Sequence, residues 1–147
     1  MWKVVLDTNI LVSALLSPDG ACRAVLRMAF EGRIEPLIGH KLFLEYQSVL
    51  GREHIFARGP FDAEKRSQFL DDYASMCRWV EIHFNWRPNL RDEADNHVIE
   101  LALAGQARFV VTHNIRDFAT GELNMPDLRI VDAGTFLATE RSERWRH

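Results

Sequence analysis

Short apolar runs alternate along the chain with longer segments in which apolar residues recur at helical spacing. The runs have the length and composition of strands buried in a parallel sheet. They cover residues 3–6, 34–38, 79–82, 109–112 and 129–131. Since strands and helices alternate, the pattern predicts a three-layer α/β/α fold with a central, mostly parallel sheet of about five strands.

Helical spacing and capping residues predict the remaining elements. The predicted helices cover residues 10–16, 21–30, 41–50, 62–77, 92–104 and 133–138. Thr8 or Asn9 is expected to cap the first helix, and Gly105 is expected at the C-terminal cap of the helix that ends at residue 104. Residues 51–60 are predicted to form a loop.

The chain of 147 residues has the size of one domain with one core. We expect the domain to cover residues 1–139, followed by a charged tail over 140–147 that frays from Thr139. No apolar run has the ~20 residues that a membrane helix needs. The N-terminus lacks the features of a signal peptide, so we expect a cytoplasmic protein with no membrane contact.

Composition leaves the function open. Hydrophobic residues make up 47% of the chain and charged residues 27%, which is ordinary for a globular protein. The net charge of −3 does not indicate a basic nucleic-acid-binding face, although an acidic cluster would mask local basic patches in the total. Cys22 and Cys77 lie in apolar helical segments without CxxC spacing, so we expect both in the core.

Acidic residues occur where several predicted elements meet one edge of the sheet. In a parallel sheet with right-handed crossovers, each helix begins at the edge where the preceding strand ends, and ligands bind at that edge. Any one of these acids alone is ordinarily a turn former, a helix cap or a solvated residue, but together they predict a site. The acids are Asp7, Glu45, Asp95 and Asp117, with Asp92 as an additional candidate.

Such a cluster of carboxylates requires a cation. Like charges a few ångströms apart raise one another's pKa or push apart the elements that carry them. Mg²⁺ and Mn²⁺ relieve this repulsion because both prefer carboxylate and water oxygens. Ions held in this way activate a water and stabilise the leaving oxygen of a phosphodiester. The sequence therefore predicts a Mg²⁺ or Mn²⁺ site.

Three segments resemble motifs of the PIN-domain family, which includes the VapC-like toxins of bacterial toxin–antitoxin modules. They are residues 4–9 (VVLDTN), 91–96 (RDEADN) and 112–118 (THNIRDF). The resemblance spans roughly residues 2 to 138. It implies an endoribonuclease in which Asp7, Glu45, Asp95 and Asp117 are catalytic and bind the metal. It also implies RNA as substrate, a small antitoxin protein as partner, and a homodimer.

Polar neighbours of the acids are expected to support the site. Thr8 and Asn9 are predicted to hold Asp7, and Thr112 and Asn114 to hold Asp117. His113 departs from the family pattern, and we expect it to face solvent.

Basic residues near the acids are candidates for binding the phosphate backbone of the substrate. These candidates are Arg91, Arg116 and Lys41.

Two alternatives to a ribonuclease have their own sequence expectations. An aspartate-nucleophile phosphatase has Asp-x-Asp after its first strand, and here Asn9 replaces the second acid, which argues against it. A catalytically silent PIN-like module that binds RNA or protein is disfavoured because acids are intact at all of the predicted positions.

Overall fold

A computed structural model describes residues 1–82, 96–119 and 127–144 of the chain. Within these residues, five strands form one sheet in which every neighbouring pair is parallel, in the order β3-β2-β1-β4-β5. The strands are β1 (Lys3–Leu6), β2 (Glu35–Ile38), β3 (Arg78–Trp79), β4 (Phe109–Val111) and β5 (Arg129–Val131). The parallel sheet and its helices confirm the predicted three-layer α/β/α fold.

Helices connect the strands and cover the sheet. Helix α2 packs against α1 and α8, and α3 packs against α5 and α6. The described helices are α1 (Thr8–Leu16), α2 (Ala21–Phe30), α3 (His40–Leu50), α4 (Glu53–Phe56), α5 (Ala63–Met76), α6 (Asn96–Ala104), α7 (Ile115–Ala119) and α8 (Ala133–Arg144). None of them is long and apolar enough to cross a lipid bilayer.

The central strand β1 lies in the middle of the core. Val4, Val5 and Leu6 have no solvent exposure, and β4 beside them is also fully buried. Burial on both faces explains why these strands are continuous apolar runs rather than alternating ones. Cys22 and Cys77 are free thiols within the core, as expected from the sequence.

The first helix begins earlier than predicted and has a different cap. It starts at Thr8, and Asp7 rather than Thr8 or Asn9 occupies the N-cap position. Asp7 has extended backbone angles, and its carboxylate accepts a hydrogen bond from the Thr8 backbone N–H. The strand thus passes directly into the helix at the residue predicted to be catalytic.

Three short or terminal helical segments were not predicted correctly. Helix α4 lies within the predicted loop 51–60, and α7 follows β4 where no helix was predicted. The last helix continues to Arg144, so the expectation that the chain frays from Thr139 was wrong for residues 139–144. The domain boundary at residue 139 remains a prediction.

Gly105 directly follows the last residue of α6, as predicted for the C-terminal cap, and its backbone N–H donates to the Leu101 carbonyl at 2.9 Å. The left-handed residue after α6 is Gln106, with a φ of 58°. At Gly105, a Cβ atom would lie 2.5 Å from Leu37 Cδ1, so this glycine allows the end of α6 to approach β2. The predicted helix over 92–104 is confirmed from Asn96 onward, and residues 92–95 lie outside the described residues.

Candidate active site

Asp7 lies at the carboxyl edge of the sheet with both carboxylate oxygens hydrogen-bonded. Only 4% of the surface of this residue is exposed to solvent. Oδ1 accepts from the Thr8 backbone N–H at 2.9 Å, and Oδ2 accepts from Thr112 Oγ1 at 2.7 Å and Asn9 Nδ2 at 3.2 Å. These bonds fix the carboxylate at the end of β1.

The pKa of Asp7 is raised above its ordinary value. Burial is the largest cause, and the negative charge of Glu45 adds to it. The hydrogen bonds from Thr112 and Thr8 and the nearby His97 act in the opposite direction. Because burial outweighs these effects, the ionised form of Asp7 is disfavoured, and a cation bound beside the carboxylate would compensate its negative charge.

The backbone around Asp7 is held from two sides. The Asp7 backbone N–H donates to the Val111 carbonyl at 2.9 Å, which extends the pairing of β1 with β4 by one residue. The Tyr46 hydroxyl, on α3, donates to the carbonyl of Leu6. Burial raises the pKa of Tyr46 well above its usual range, so its hydroxyl stays protonated and acts as a donor.

Glu45 lies next to Tyr46 on α3 and contributes the second carboxylate. Its Oε2 lies 2.9 Å from His97 Nε2 on α6. Although the distance is that of an ion pair, Glu45 Oε2 is buried and receives no well-directed hydrogen bond from the described residues. This oxygen therefore retains lone pairs for a ligand.

One open cavity of about 320 Å³ contains both carboxylates. Acidic and amide groups line one part of it, and valine side chains line another. Its lining residues are Asp7, Thr8, Asn9, Val12, Ser13, Glu45, Val49 and Asn114. We call this space the acidic cavity.

The remaining predicted acids are Asp117, Asp95 and Asp92. Asp117 is half-buried in the first turn of α7, where its backbone N–H donates to the Asn114 carbonyl at 3.1 Å, and it does not line the acidic cavity. Asp95 and Asp92 lie outside the described residues, as does Arg91. Of the predicted metal ligands, the structure therefore places Asp7 and Glu45 in one cavity.

The supporting residues converge on Asp7 rather than on Asp117. Thr112 was predicted to hold Asp117, but its hydroxyl donates to Asp7 and accepts from the Asn114 backbone N–H at 3.0 Å. Asn9 Nδ2 is also 3.5 Å from Thr112 Oγ1. The cause is the pairing of β1 with β4, which places Thr112 directly beside Asp7.

Two of the predicted substrate-binding cations, Arg116 and Lys41, lie outside the acidic cavity. Arg116 is exposed on α7. Lys41 is exposed on α3 and lines a separate cavity of about 600 Å³ together with Trp79 and Glu100. His113 is exposed, as expected, and its Nε2 also lies 2.9 Å from Ser13 Oγ.

His97 and Tyr46 are site residues that the sequence interpretation missed. A signal for His97 was its place in the first turn of a helix that starts at the same edge of the sheet as the acids. Tyr46 was recognised only as an apolar helix position, because its hydrogen bond to β1 has no pattern along the sequence.

The donor set fits a hard divalent cation, although the described part of it is incomplete. Within the described residues, no group of three His, Cys, Asp or Glu side chains is placed to hold a metal. Asp7 and Glu45 offer carboxylate oxygens, which suit Mg²⁺ or Mn²⁺ better than a soft metal. Glu45 Oε2 lies 2.9 Å from His97 Nε2 and, within the described residues, receives no well-directed hydrogen bond, so it keeps lone pairs that could bind such a cation.

Comparison with known families gives a direct result. The model of the PIN domain family matches residues 3–116, which is more than half of the chain. The chain belongs to the PIN domain family. The PIN fold is a nuclease-type fold, and a search of curated proteins finds no significant match.

Two solved structures resemble this PIN domain. The crystal structure of VapBC2 from Rickettsia felis bound to a DNA fragment from their promoter matches with a TM-score of 0.55 and 18% sequence identity, over 87% of this chain and 96% of that chain. The T. brucei RRP44 PIN domain matches with a TM-score of 0.49 and 16% identity, over 98% of this chain and 83% of that chain. The VapBC2 match agrees with the α/β/α fold described above.

Proposed function

We propose that this PIN domain is a Mg²⁺- or Mn²⁺-dependent endoribonuclease that hydrolyses RNA phosphodiester bonds at the acidic cavity. The observation that carries the proposal is that Asp7 and Glu45, from β1 and α3, share one open cavity at the carboxyl edge of the sheet. Asp95 and Asp117 are proposed to complete the ligand set, with Asp92 as an additional candidate. Membership of the PIN domain family supports the nuclease class.

A bound divalent cation would lower the pKa of a water and neutralise charge that develops on the phosphate oxygens. The protein's own residues prepare that position. Thr112 and Asn9 hold Asp7 Oδ2, and the Thr8 backbone N–H holds Oδ1, so the carboxylate cannot rotate away. Preorganised groups of this kind cost no reorganisation during the reaction.

The remaining residues of the acidic cavity favour a phosphodiester substrate. The Asn114 side chain lines the cavity and offers an uncharged donor to a phosphate oxygen. Hydrolysis adds water to phosphorus and breaks one P–O bond, and the leaving alcohol oxygen takes up a proton.

The phosphatase alternative loses support from the position of Asn9. Its amide donates to the Asp7 carboxylate and its Oδ1 accepts from the His113 backbone N–H. Asn9 therefore orders the edge of the sheet and supplies no second acid for phosphoryl transfer. The silent-module alternative remains, and it is tested by activity.

Cleavage of single-stranded RNA tests the proposal. We expect the wild type to cut in Mg²⁺ or Mn²⁺ and to lose activity in EDTA, and we expect Asp95→Asn to lose activity in all conditions. Asp62→Asn is a control for the same change of side chain, because Asp62 caps α5 and lies outside the acidic cavity. Equal cleavage by wild type and Asp95→Asn would mean that the activity is a contaminant.

We also propose that the ribonuclease is the toxin of a toxin–antitoxin module, with a small antitoxin as partner and a homodimer as its assembly. The fold likeness to VapBC2 supports this role. Induced expression in a bacterial host is expected to arrest growth for the wild type and not for Asp7→Asn at equal protein level. Normal growth with active wild-type enzyme would contradict the toxin role while leaving the ribonuclease intact.

A further inference from the structure

A second cavity lies beside the acidic cavity and shares Ser13 with it. Its volume is about 380 Å³, which falls in the range of small-molecule sites. It is formed by α1, the start of α2, the second residue after β4 and the start of α8. The lining residues are Ser13, Ser17, Gly20, Ala21, Cys22, His113, Asp132, Ala133 and Gly134. We call this space the lateral cavity.

His113 connects the lateral cavity to the residues that hold Asp7. Its backbone N–H donates to Asn9 Oδ1 at 3.2 Å, and Asn9 in turn donates to Asp7. The His113 ring contacts Ser13 Oγ at 2.9 Å and Cys22 Sγ at 3.6 Å through Nε2. A group bound in the lateral cavity would therefore lie directly beside a phosphate bound in the acidic cavity.

The charge of the lateral cavity argues against a phosphate as its ligand. Among the described residues, no Lys or Arg lines it, and Asp132 contributes a carboxylate. Hydrogen bonds from the backbone and side chain of Thr135, together with His113, lower the pKa of Asp132, so it is ionised at neutral pH. Only an uncharged or cationic ligand with hydrogen-bond donors avoids repulsion at this position.

The shape and remaining groups suit a flat ligand. Gly20 and Gly134 bring no side chains into the cavity, and a methyl group at position 134 would meet only Asp132 Oδ1, at 3.7 Å. The exposed His113 ring offers a surface for stacking, and Ser17 offers a hydroxyl. Unpaired RNA bases are recognised in this way, by stacking and by hydrogen bonds to their edges.

We propose that the lateral cavity binds the unpaired base next to the scissile phosphate and prefers bases with an exocyclic amino group over uracil. This inference rests on the proposed ribonuclease function. The carboxylate of Asp132 accepts a hydrogen bond from the amino group of adenine, cytosine or guanine. Uracil carries the O4 carbonyl oxygen where cytosine carries its amino group, and this oxygen repels the carboxylate.

Sequencing the ends of RNA products from a random-sequence pool tests the preference. For the wild type, we expect uracil to be depleted about tenfold at one position beside the cut, since a hydrogen bond to a charged group is at stake. Asp132→Asn is expected to remove most of this depletion, because an amide can also donate to uracil. The amide oxygen can still cap α8 at the Thr135 N–H, which Asp132 now contacts at 2.7 Å.

Two matched controls separate the cavity from general effects. Asp62→Asn changes the same kind of helix cap, with a 2.9 Å bond to the Lys65 N–H, and is expected to leave the base preference unchanged. Gly134→Leu is expected to fill the lateral cavity and abolish the preference, whereas Gly134→Ala preserves it. A Cβ atom at position 134 is in ordinary van der Waals contact with Asp132 Oδ1, at 3.7 Å, so the fold tolerates the smaller substitution.

Binding without cleavage distinguishes failure of this proposal from failure of the proposed function. In EDTA, fluorescence anisotropy should show that oligo(A) and oligo(C) bind about tenfold more tightly than oligo(U), and that Asp132→Asn removes the difference. If no RNA is cleaved but this difference in binding affinity is observed, only the proposed ribonuclease function is overturned. Equal binding of all oligonucleotides would overturn the base site. Tighter binding of every oligonucleotide by Asp132→Asn would also overturn it, because this result would indicate a phosphate in the lateral cavity.

Discussion

Asp7 combines a structural and a chemical role in one side chain. It ends the fully buried strand β1, caps α1 and shares the acidic cavity with Glu45. The sequence predicts its place at the edge, because an acid that directly follows a buried strand of a parallel sheet lies at the carboxyl end of that strand. Sequence could not predict that Thr112 would hold it, since the contact joins residues from two separate strands.

Removing the charge of Asp7 should stabilise the metal-free protein at neutral pH. A pKa raised on folding means that the native state holds the Asp7 proton more tightly than the unfolded chain, whose pKa is near 3.8. Stability from this group is therefore present below the unfolded pKa and is lost as pH rises through the folded pKa. We expect Asp7→Asn in EDTA to melt at a higher temperature than the wild type at pH 8, with a smaller difference at pH 4.

The measurement is thermal unfolding followed by circular dichroism across that pH range. Asp62→Asn serves as the control because Asp62 is an exposed helix cap without a buried charge, so its melting temperature should not rise at pH 8. A metal-free wild type that is more stable than Asp7→Asn at pH 8 would show that the hydrogen bonds of Asp7 outweigh its burial.

Thr112 should be needed for both stability and catalysis. Thr112→Val keeps the shape of the side chain but removes the bond to Asp7 Oδ2, and this is expected to cost about 1–3 kcal/mol of unfolding free energy. Thr112→Ser retains the hydroxyl and should recover most of the RNA cleavage that Thr112→Val loses. Chemical denaturation and cleavage rates measure the two effects, and wild-type activity in Thr112→Val would refute the positioning role.

A side chain of α3 donates the hydrogen bond to the last carbonyl of strand β1. The pairing of β1 with β2 covers Val4 with Pro36 but does not reach Leu6, whose carbonyl accepts from the Tyr46 hydroxyl instead. Helix α3 thus holds the end of β1 while presenting Glu45 to the acidic cavity. Two adjacent residues of one helix thus hold the strand and line the acidic cavity.

Tyr46→Phe should destabilise the domain more than Tyr73→Phe. Tyr46 and Tyr73 are both fully buried, and their rings meet edge to face with centroids 6.0 Å apart. Loss of the Tyr46 hydroxyl leaves a buried carbonyl without its donor and should cost about 1–3 kcal/mol. The Tyr73 hydroxyl makes no well-directed hydrogen bond to the described residues, so its removal should cost less. Urea denaturation of both variants provides the comparison, and equal losses would contradict it.

Elements with a clear period were predictable, and the shortest ones were not. The buried runs of β1 and β4 and the longer helices are visible as apolar patterns. Helices α4 and α7 have 4 and 5 residues, too few to show a helical repeat. The end of α8 was missed because its last turns consist mainly of charged residues, which is also the composition of a frayed tail.

Topology brings Asp7 and Glu45 to one edge of the sheet. Parallel strands place the ends of β1, β2 and β4 together, and the helices that follow them begin at the same edge. The sequence could predict this convergence because it follows from element order. It could not predict the strand order, the His97 contact or the lateral cavity, since these depend on packing between distant segments.

Binding of Mn²⁺ measured by isothermal titration calorimetry tests the central claim most directly. After treatment with EDTA and dialysis, the wild type and Asp62→Asn are expected to bind Mn²⁺, while Asp7→Asn and Glu45→Gln lose at least about tenfold in affinity. Mn²⁺ should also raise the melting temperature of the wild type but not of Asp7→Asn. No binding by the wild type at millimolar Mn²⁺, or equal affinity in Asp7→Asn, would contradict a metal site built on Asp7 and Glu45.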